Sequence, residues 1–226
     1  MFPAHIVVGE TDLQIFTDRP LEKDYLKERV CLYRRQIEGY ISKEKRFLTA
    51  LKPIEVELNA PPVVKEMAQA ARLANVGPMA AVAGTIAEFL GRDLLRKSYK
   101  DIIIENGGDI FLAARKNCRI GIYTGNSKLF KELKLKIRPK DTPLGICTSS
   151  GTVGHSLSFG LSDAVVILAK SASLADAVAT STANRVSSKQ DLQKAAVYAK
   201  SIKGVSGVII ILKKHLISWG KVELTQ

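Results

Sequence analysis

Cysteine, aromatic side chains and long apolar runs are all scarce in this sequence, and each scarcity removes a class of protein. Three cysteines occur in 226 residues, Cys31, Cys118 and Cys147. They are odd in number and widely spaced, which excludes a disulfide framework and a paired-cysteine metal site. Mostly buried thiols in a reducing cytosol are the expectation. Aromatics make up 6% of the chain, and none interleave with the basic residues in the manner of a nucleic-acid surface. No apolar run approaches the roughly 18 residues of a membrane span. The opening Met1-Phe2-Pro3-Ala4-His5 has no basic segment followed by an apolar one, so the expectation is no signal peptide, no membrane and a cytoplasmic location.

What is present is ordinary globular material, 46% hydrophobic and 25% charged, enough to bury one substantial core. The net charge of +12, from 34 basic and 22 acidic residues, favours anionic partners such as phosphate ligands. The basic residues are densest from Lys128 to Lys140. In Lys134-Leu135-Lys136-Ile137-Arg138 charged and apolar residues alternate, placing them on opposite faces of a strand. That pattern predicts a solvated sheet face, and nucleic acid is not an expected partner.

Strands are predicted at His5–Val8 and Leu13–Phe16, joined across Gly9-Glu10-Thr11-Asp12. A helix opened by Pro20 carries Leu26, Val30, Tyr33, Ile37 and Ile41 on one face. Further helices are expected over Val63–Ala74, Met79–Leu90, Leu174–Val186 and Asp191–Lys200. Further strands are expected at Asp101–Glu105, Ile110–Ala114, Arg119–Thr124, Gly145–Thr148, Ala164–Ala169, Val208–Leu212 and Leu216–Trp219. Helices and strands do not alternate strictly, so the class is α+β: one domain over residues 1–226, mixed sheets with packed helices, and residues 1–60 a hairpin-plus-helix extension packed on it. The Ala-rich helices also allow homo-oligomerisation.

Three elements could carry chemistry. In Asn106-Gly107-Gly108-Asp109 paired glycines permit positive φ and let a ligand approach backbone; a plain hairpin turn has the same signature. Thr148-Ser149-Ser150-Gly151-Thr152-Val153-Gly154-His155 offers hydroxyls and backbone N–H groups suited to phosphate oxygens. It lacks the Gly-Lys-Ser/Thr ending of a P-loop. His155 suits general acid–base work or loop bracing, and Cys147 reads as an activated thiolate or as a small buried side chain. Thirdly, Asp176 and Thr180 lie four apart, so a helix presents both oxygens on one face as hard ligands for Mg²⁺ or Ca²⁺, with added waters or phosphates. Ser173 and Asp176 equally satisfy the Ser-x-x-Asp capping pattern. Gly84, inside a run of small residues, costs helix stability and implies close packing or binding.

In this order the elements resemble the ApbE-like flavin transferase superfamily, and are similar above all to a cytosolic branch of it found in methanogens and other anaerobes. The resemblance spans roughly Gly77 to Asn184 and rests on Gly77–Gly84, Asn106–Ile110, Thr148–His155 and the Ala-Asp-Ala-Val-Ala-Thr run Ala175–Thr180. It implies an FAD or other flavin nucleotide ligand, with Mg²⁺ held by Asp176 and Thr180 against the pyrophosphate. It also implies contacts from Gly107, Gly108, Asp109 and Thr148–Gly151, and His155 near the transferred phosphate. The chain departs from the superfamily after the histidine: Ser156-Leu157-Ser158-Phe159-Gly160 stands where Asp-Pro-x-Thr-Gly is usual. The resemblance therefore implies a fold and an anion site rather than FMN transfer to a protein threonine. Two other functions fit the same residues: thiol or sulfur handling at Cys147 in anaerobic sulfur amino-acid metabolism, and a non-enzymatic binding or assembly role.

Overall fold

The computed structural model describes residues 1–124, 129–130, 132–150 and 160–225. Strands β1 (Phe2–Val8) and β2 (Thr11–Thr17) form the expected antiparallel hairpin. In β2 strict alternation sends Leu13 and Ile15 fully inward and Asp12, Gln14 and Phe16 outward. The hairpin is built into the domain, because β2 continues the ladder onto β3 (Ile102–Asn106), pairing Leu13 with Asn106 and Thr17 with Ile102.

Helix α1 (Lys23–Lys43) buries Leu26, Val30, Tyr33, Ile37 and Tyr40. The expected Ile41 lies only at the margin of this face, packed against the core while Tyr40 enters it. After the short α2 (Arg46–Thr49), α3 (Pro62–Ala74) begins at a proline and ends where Asn75 turns left-handed at φ 52°. The small-residue segment expected as one helix is divided. Pro78–Ala81 is a 3₁₀ turn, and α4 (Val82–Arg96) follows it and outruns the expected end.

Beyond β3 come β4 (Asp109–Ala113), β5 (Cys118–Gly121), β6 (Lys134–Ile137), β7 (Leu144–Ser149) and β8 (Ala164–Ala169). Then follow α5 (Ala172–Ala183), α6 (Asp191–Ser201), β9 (Val205–Leu212), β10 (His215–Gly220) and the two-residue β11 (Leu224–Thr225). The main sheet has eight strands in the order β1-β2-β3-β4-β7-β8-β9-β10, and a second sheet runs β11-β6-β5. Both are antiparallel throughout. The class is α+β in one domain.

Each face of the large sheet has its own apolar core. One holds Leu13, Ile15, Ile104, Val165 and Ile210 against the helices. The other holds Leu112, Ile146, Val166 and Ile209 against Leu135 and Ile137 of the small sheet. All six residues of β8 are buried, as expected of a strand covered on both faces. The alternation in β6 is as read: Leu135 and Ile137 turn inward while Lys134 and Lys136 remain partly exposed. Among the described residues no single helix is long and apolar enough to cross a membrane.

Candidate functional site

The site lies where the end of β7, the β3–β4 turn and the face of α5 meet. Asn106 and Asp109 close the β3–β4 ladder, leaving Gly107 and Gly108 as a two-residue turn with φ of 62° and 100°. Both angles suit glycine, and this twist matches the hairpin it joins. A Cβ on Gly107 would meet nothing within 4 Å, so backbone conformation, not crowding, requires glycine there. The turn is braced from below: Asn106 Nδ2 donates to the Ala83 carbonyl at 3.0 Å, and the Gly108 amide donates to Glu105 Oε1 at 2.6 Å.

Asp109 then starts β4 directly opposite Cys147 of β7. Its carboxyl is buried, and Oδ1 has no hydrogen-bond partner among the described residues. Burial, then the nearby charge of Asp176 and of Glu105, push its pKa well up; the Cys147 thiol and the Thr148 amide oppose this. The named charges acting on it are both acidic. Ser149 Oγ, two residues along β7 from Cys147, is likewise buried and unpartnered among the described residues.

Asp176 comes from α5. The capping alternative is overturned here: the N-cap is Ser171, whose side chain accepts the Leu174 amide at 3.1 Å. Ser173 turns away to Glu88, which accepts both its amide at 3.0 Å and its hydroxyl at 3.1 Å. Asp176 instead accepts the backbone N–H of Gly84, at the start of α4, at 2.9 Å. The fit there admits only glycine, since a Cβ would stand 2.3 Å from the Ala172 carbonyl oxygen and 2.8 Å from Asp176 Cβ. Of the two reasons the sequence offered for a glycine here, close packing is the one the structure shows. Burial raises Asp176 to about 7 against the opposing amides of Gly84 and Ala83. Thr180, one turn further along α5, is buried on the same face.

Cys147 is not the activated thiolate that the sequence allowed. It is fully buried, and its thiol donates to the Ala172 carbonyl at 3.3 Å. Burial and the carboxylates of Asp109 and Asp176 push its pKa well above the ordinary value, keeping it neutral. Gly151 and His155 lie outside the described residues. Of the other expected site residues, Asp109, Thr148 and Ser149 come together at one end of β4 and β7, with Asp176 close enough to act on Asp109 and Thr180 buried one turn along α5.

Two acidic side chains brought together in a part-dry setting, one with an unpartnered oxygen, form a donor set suited to a hard divalent cation. Among the described residues no three His, Cys, Asp or Glu side chains gather as a self-sufficient metal centre. A cation here would complete its shell from hydroxyl, backbone, water or phosphate oxygens, as Mg²⁺ commonly does.

The family model described as AbpE bacteria matches residues 3–211. The chain belongs to this family. A UPF0280 protein of Methanocaldococcus jannaschii is 42% identical over 98% of this chain and 91% of its own length. One from Methanosarcina acetivorans is 38% identical over 96% of this chain and 86% of its own. Among solved structures, the flavin transferase ApbE of Vibrio cholerae superposes with a TM-score of 0.62 at 14% identity, covering 97% of both chains. The ApbE protein of Thermotoga maritima gives 0.60 at 11%, covering 98% of this chain and 96% of its own. At these identities the two structures establish that the chain has the ApbE fold.

The sequence named the residues that meet here but not their bracing. The donation of the Gly84 amide to Asp176 and the Asn106 contact with Ala83 join segments far apart in the chain, and no local spacing signals them. The only trace was the cost of a glycine inside α4.

Proposed function

We propose that this ApbE-like protein binds a flavin nucleotide at the Asp109–Asp176 site and acts at its pyrophosphate. The observation that carries this is the meeting of Asp109 and Asp176 with raised pKa values and an unpartnered carboxylate oxygen. The ApbE fold, shared with proteins named as flavin transferases, supports flavin as the ligand class.

Asp176 and Thr180 would hold Mg²⁺, with Asp109 close by; when bound, the ion would neutralise phosphate charge at the reacting centre. The protein's own residues do the rest. The Gly84 amide fixes the orientation of Asp176 before any ligand arrives. The Gly107-Gly108 turn presents bare backbone beside Thr148, where a phosphate or ribose can approach closely. The Thr148 and Ser149 hydroxyls, the latter unpartnered among the described residues, would serve phosphate oxygens, and His155 is assigned proton transfer at the reacting phosphate. Cys147, held neutral, supplies packing beneath Asp109, which leaves thiol chemistry without support.

Equilibrium binding of FAD, followed by flavin fluorescence with and without Mg²⁺, tests the reading. Mg²⁺-dependent binding weakened at least tenfold by Asp176→Asn is expected. Absence of FAD binding in both conditions overturns it.

A further inference from the structure

A lysine-lined cavity lies at the other end of the same strands and on the opposite face of the large sheet. It occupies about 380 Å³ between the small sheet and the start of β7. Lys136, Lys140, Lys170 and Lys221 line it, with Asp141 the one acidic residue, over a base that includes Ile137, Leu144 and Leu168. Leu144 begins β7, whereas Thr148 and Ser149 end it. Four strand steps, roughly 13 Å, separate this cavity from the Asp109 end. Leu144 and Leu168 belong to the core under the small sheet, while Cys147 belongs to the helix-side core.

The charges here are unequally matched. Lys136 Nζ pairs with Glu223 at 2.7 Å, and Glu223 also takes Arg138 at 2.6 Å. Lys221 Nζ pairs with Asp141 at 2.7 Å. Lys140 and Lys170 have no ion-pair partner among the described residues. The two paired lysines are also held by the backbone, since the Lys136 amide donates to Glu223 and the Lys221 amide to Ser206, each at 2.8 Å. Unlike a lysine face spread over open sheet, these four lysines line one concavity over an apolar base. This is also where part of the basic Lys128–Lys140 stretch, unused by the Asp109 site, comes to rest.

We infer that this cavity is a second binding site, for a small phosphomonoester with an apolar body. Two unpaired ammonium groups match the charge of about −1.5 to −2 that a phosphomonoester carries near neutral pH. Lysines act here as point charges on phosphate, without the planar fork by which arginine recognises carboxylate. Pro143 and the aliphatic stems of the lysines, lying over the buried Ile137, Leu144 and Leu168, give the apolar body a surface from which water is displaced. The volume lies within the range of small-molecule sites, of about 300–1,000 Å³.

Phenyl phosphate, followed by isothermal titration calorimetry and by ¹H–¹⁵N shift mapping on the full chain, is the probe. Saturable binding is expected, with shifts at Leu144, Lys170 and Ser206. Lys140→Ala/Lys170→Ala should weaken it at least tenfold while leaving the thermal midpoint unchanged, because both side chains are exposed. Asp176→Asn should leave it intact, which separates this site from the one at Asp109. Inorganic phosphate and phenol should each bind at least tenfold more weakly. Binding that survives the double lysine variant, that is lost in Asp176→Asn, or that inorganic phosphate equals would overturn the inference, as would no binding at millimolar phenyl phosphate.

Discussion

The Asp176 carboxylate accepts the backbone N–H of Gly84 at 2.9 Å, across 92 residues of sequence. This one bond ties the start of α4 to α5 and holds the carboxylate whose charge acts on Asp109. Replacing Gly84 with alanine would gain helix propensity in an isolated peptide. In the protein the new methyl would meet the Ala172 carbonyl oxygen at 2.3 Å. Overpacking of this kind costs about 1–3 kcal/mol, so Gly84→Ala should lower stability in urea titrations and weaken FAD binding together. An unchanged or raised midpoint would remove Gly84 from the site.

The pH dependence has a definite sign. Asp176 is raised to about 7 and Asp109 moves in the same direction, whereas an unfolded aspartate titrates near ~3.9. Between these values the folded chain binds more protons than the unfolded one, so the contribution present at low pH is lost as pH rises through about 7. In chelator, thermal midpoints should fall from pH 5 to pH 8, and more so in the wild type than in Asp109→Asn/Asp176→Asn. Mg²⁺ should restore the midpoint at pH 8 and do little at pH 5. A midpoint insensitive to both changes would contradict a carboxylate pair.

Glu88 is the hidden support of α5. It is 2% exposed and accepts the Ser173 amide and hydroxyl together with Arg92 at 2.5 Å. Glu88→Ala leaves a buried amide and hydroxyl without their acceptor and should cost about 2 kcal/mol, the pair with the part-exposed Arg92 adding little. Glu88→Gln keeps an acceptor oxygen and should cost less than half of that. Equal losses for the two variants in urea would show that the contact is only steric.

The three thiols should separate by reactivity. Cys31 and Cys118 are partly exposed and Cys147 is buried. Iodoacetamide at pH 8 should therefore label the first two in the native protein and reach Cys147 only after unfolding. Early labelling of Cys147 by peptide mass mapping would revive a thiolate role.

Much of this architecture is legible in sequence because its signals are local. The Gly107-Gly108 turn, the alternation in β2 and β6 and the buried run of β8 each declare their structure within a few residues. The division at Pro78–Ala81 and the entry of Tyr40 in place of Ile41 depend on which neighbour is packed alongside, and periodicity is blind to that. The Ser173-x-x-Asp176 pattern misled for a similar reason. Glu88 competes for Ser173 from another helix, Gly84 competes for Asp176, and the cap falls two residues earlier, at Ser171. Likewise, Cys147 looked reactive beside a polar loop, but burial, with Asp109 across the ladder and Asp176 on α5, holds its proton on.

A crystal structure of the protein with FAD and Mg²⁺ tests the central claim most directly. The account predicts a metal ion bound by Asp176 and Thr180, with the FAD pyrophosphate between that ion and the Gly107–Asp109 turn. A flavin bound elsewhere, or crystals with FAD at saturation and an empty Asp176–Thr180 face, would contradict it.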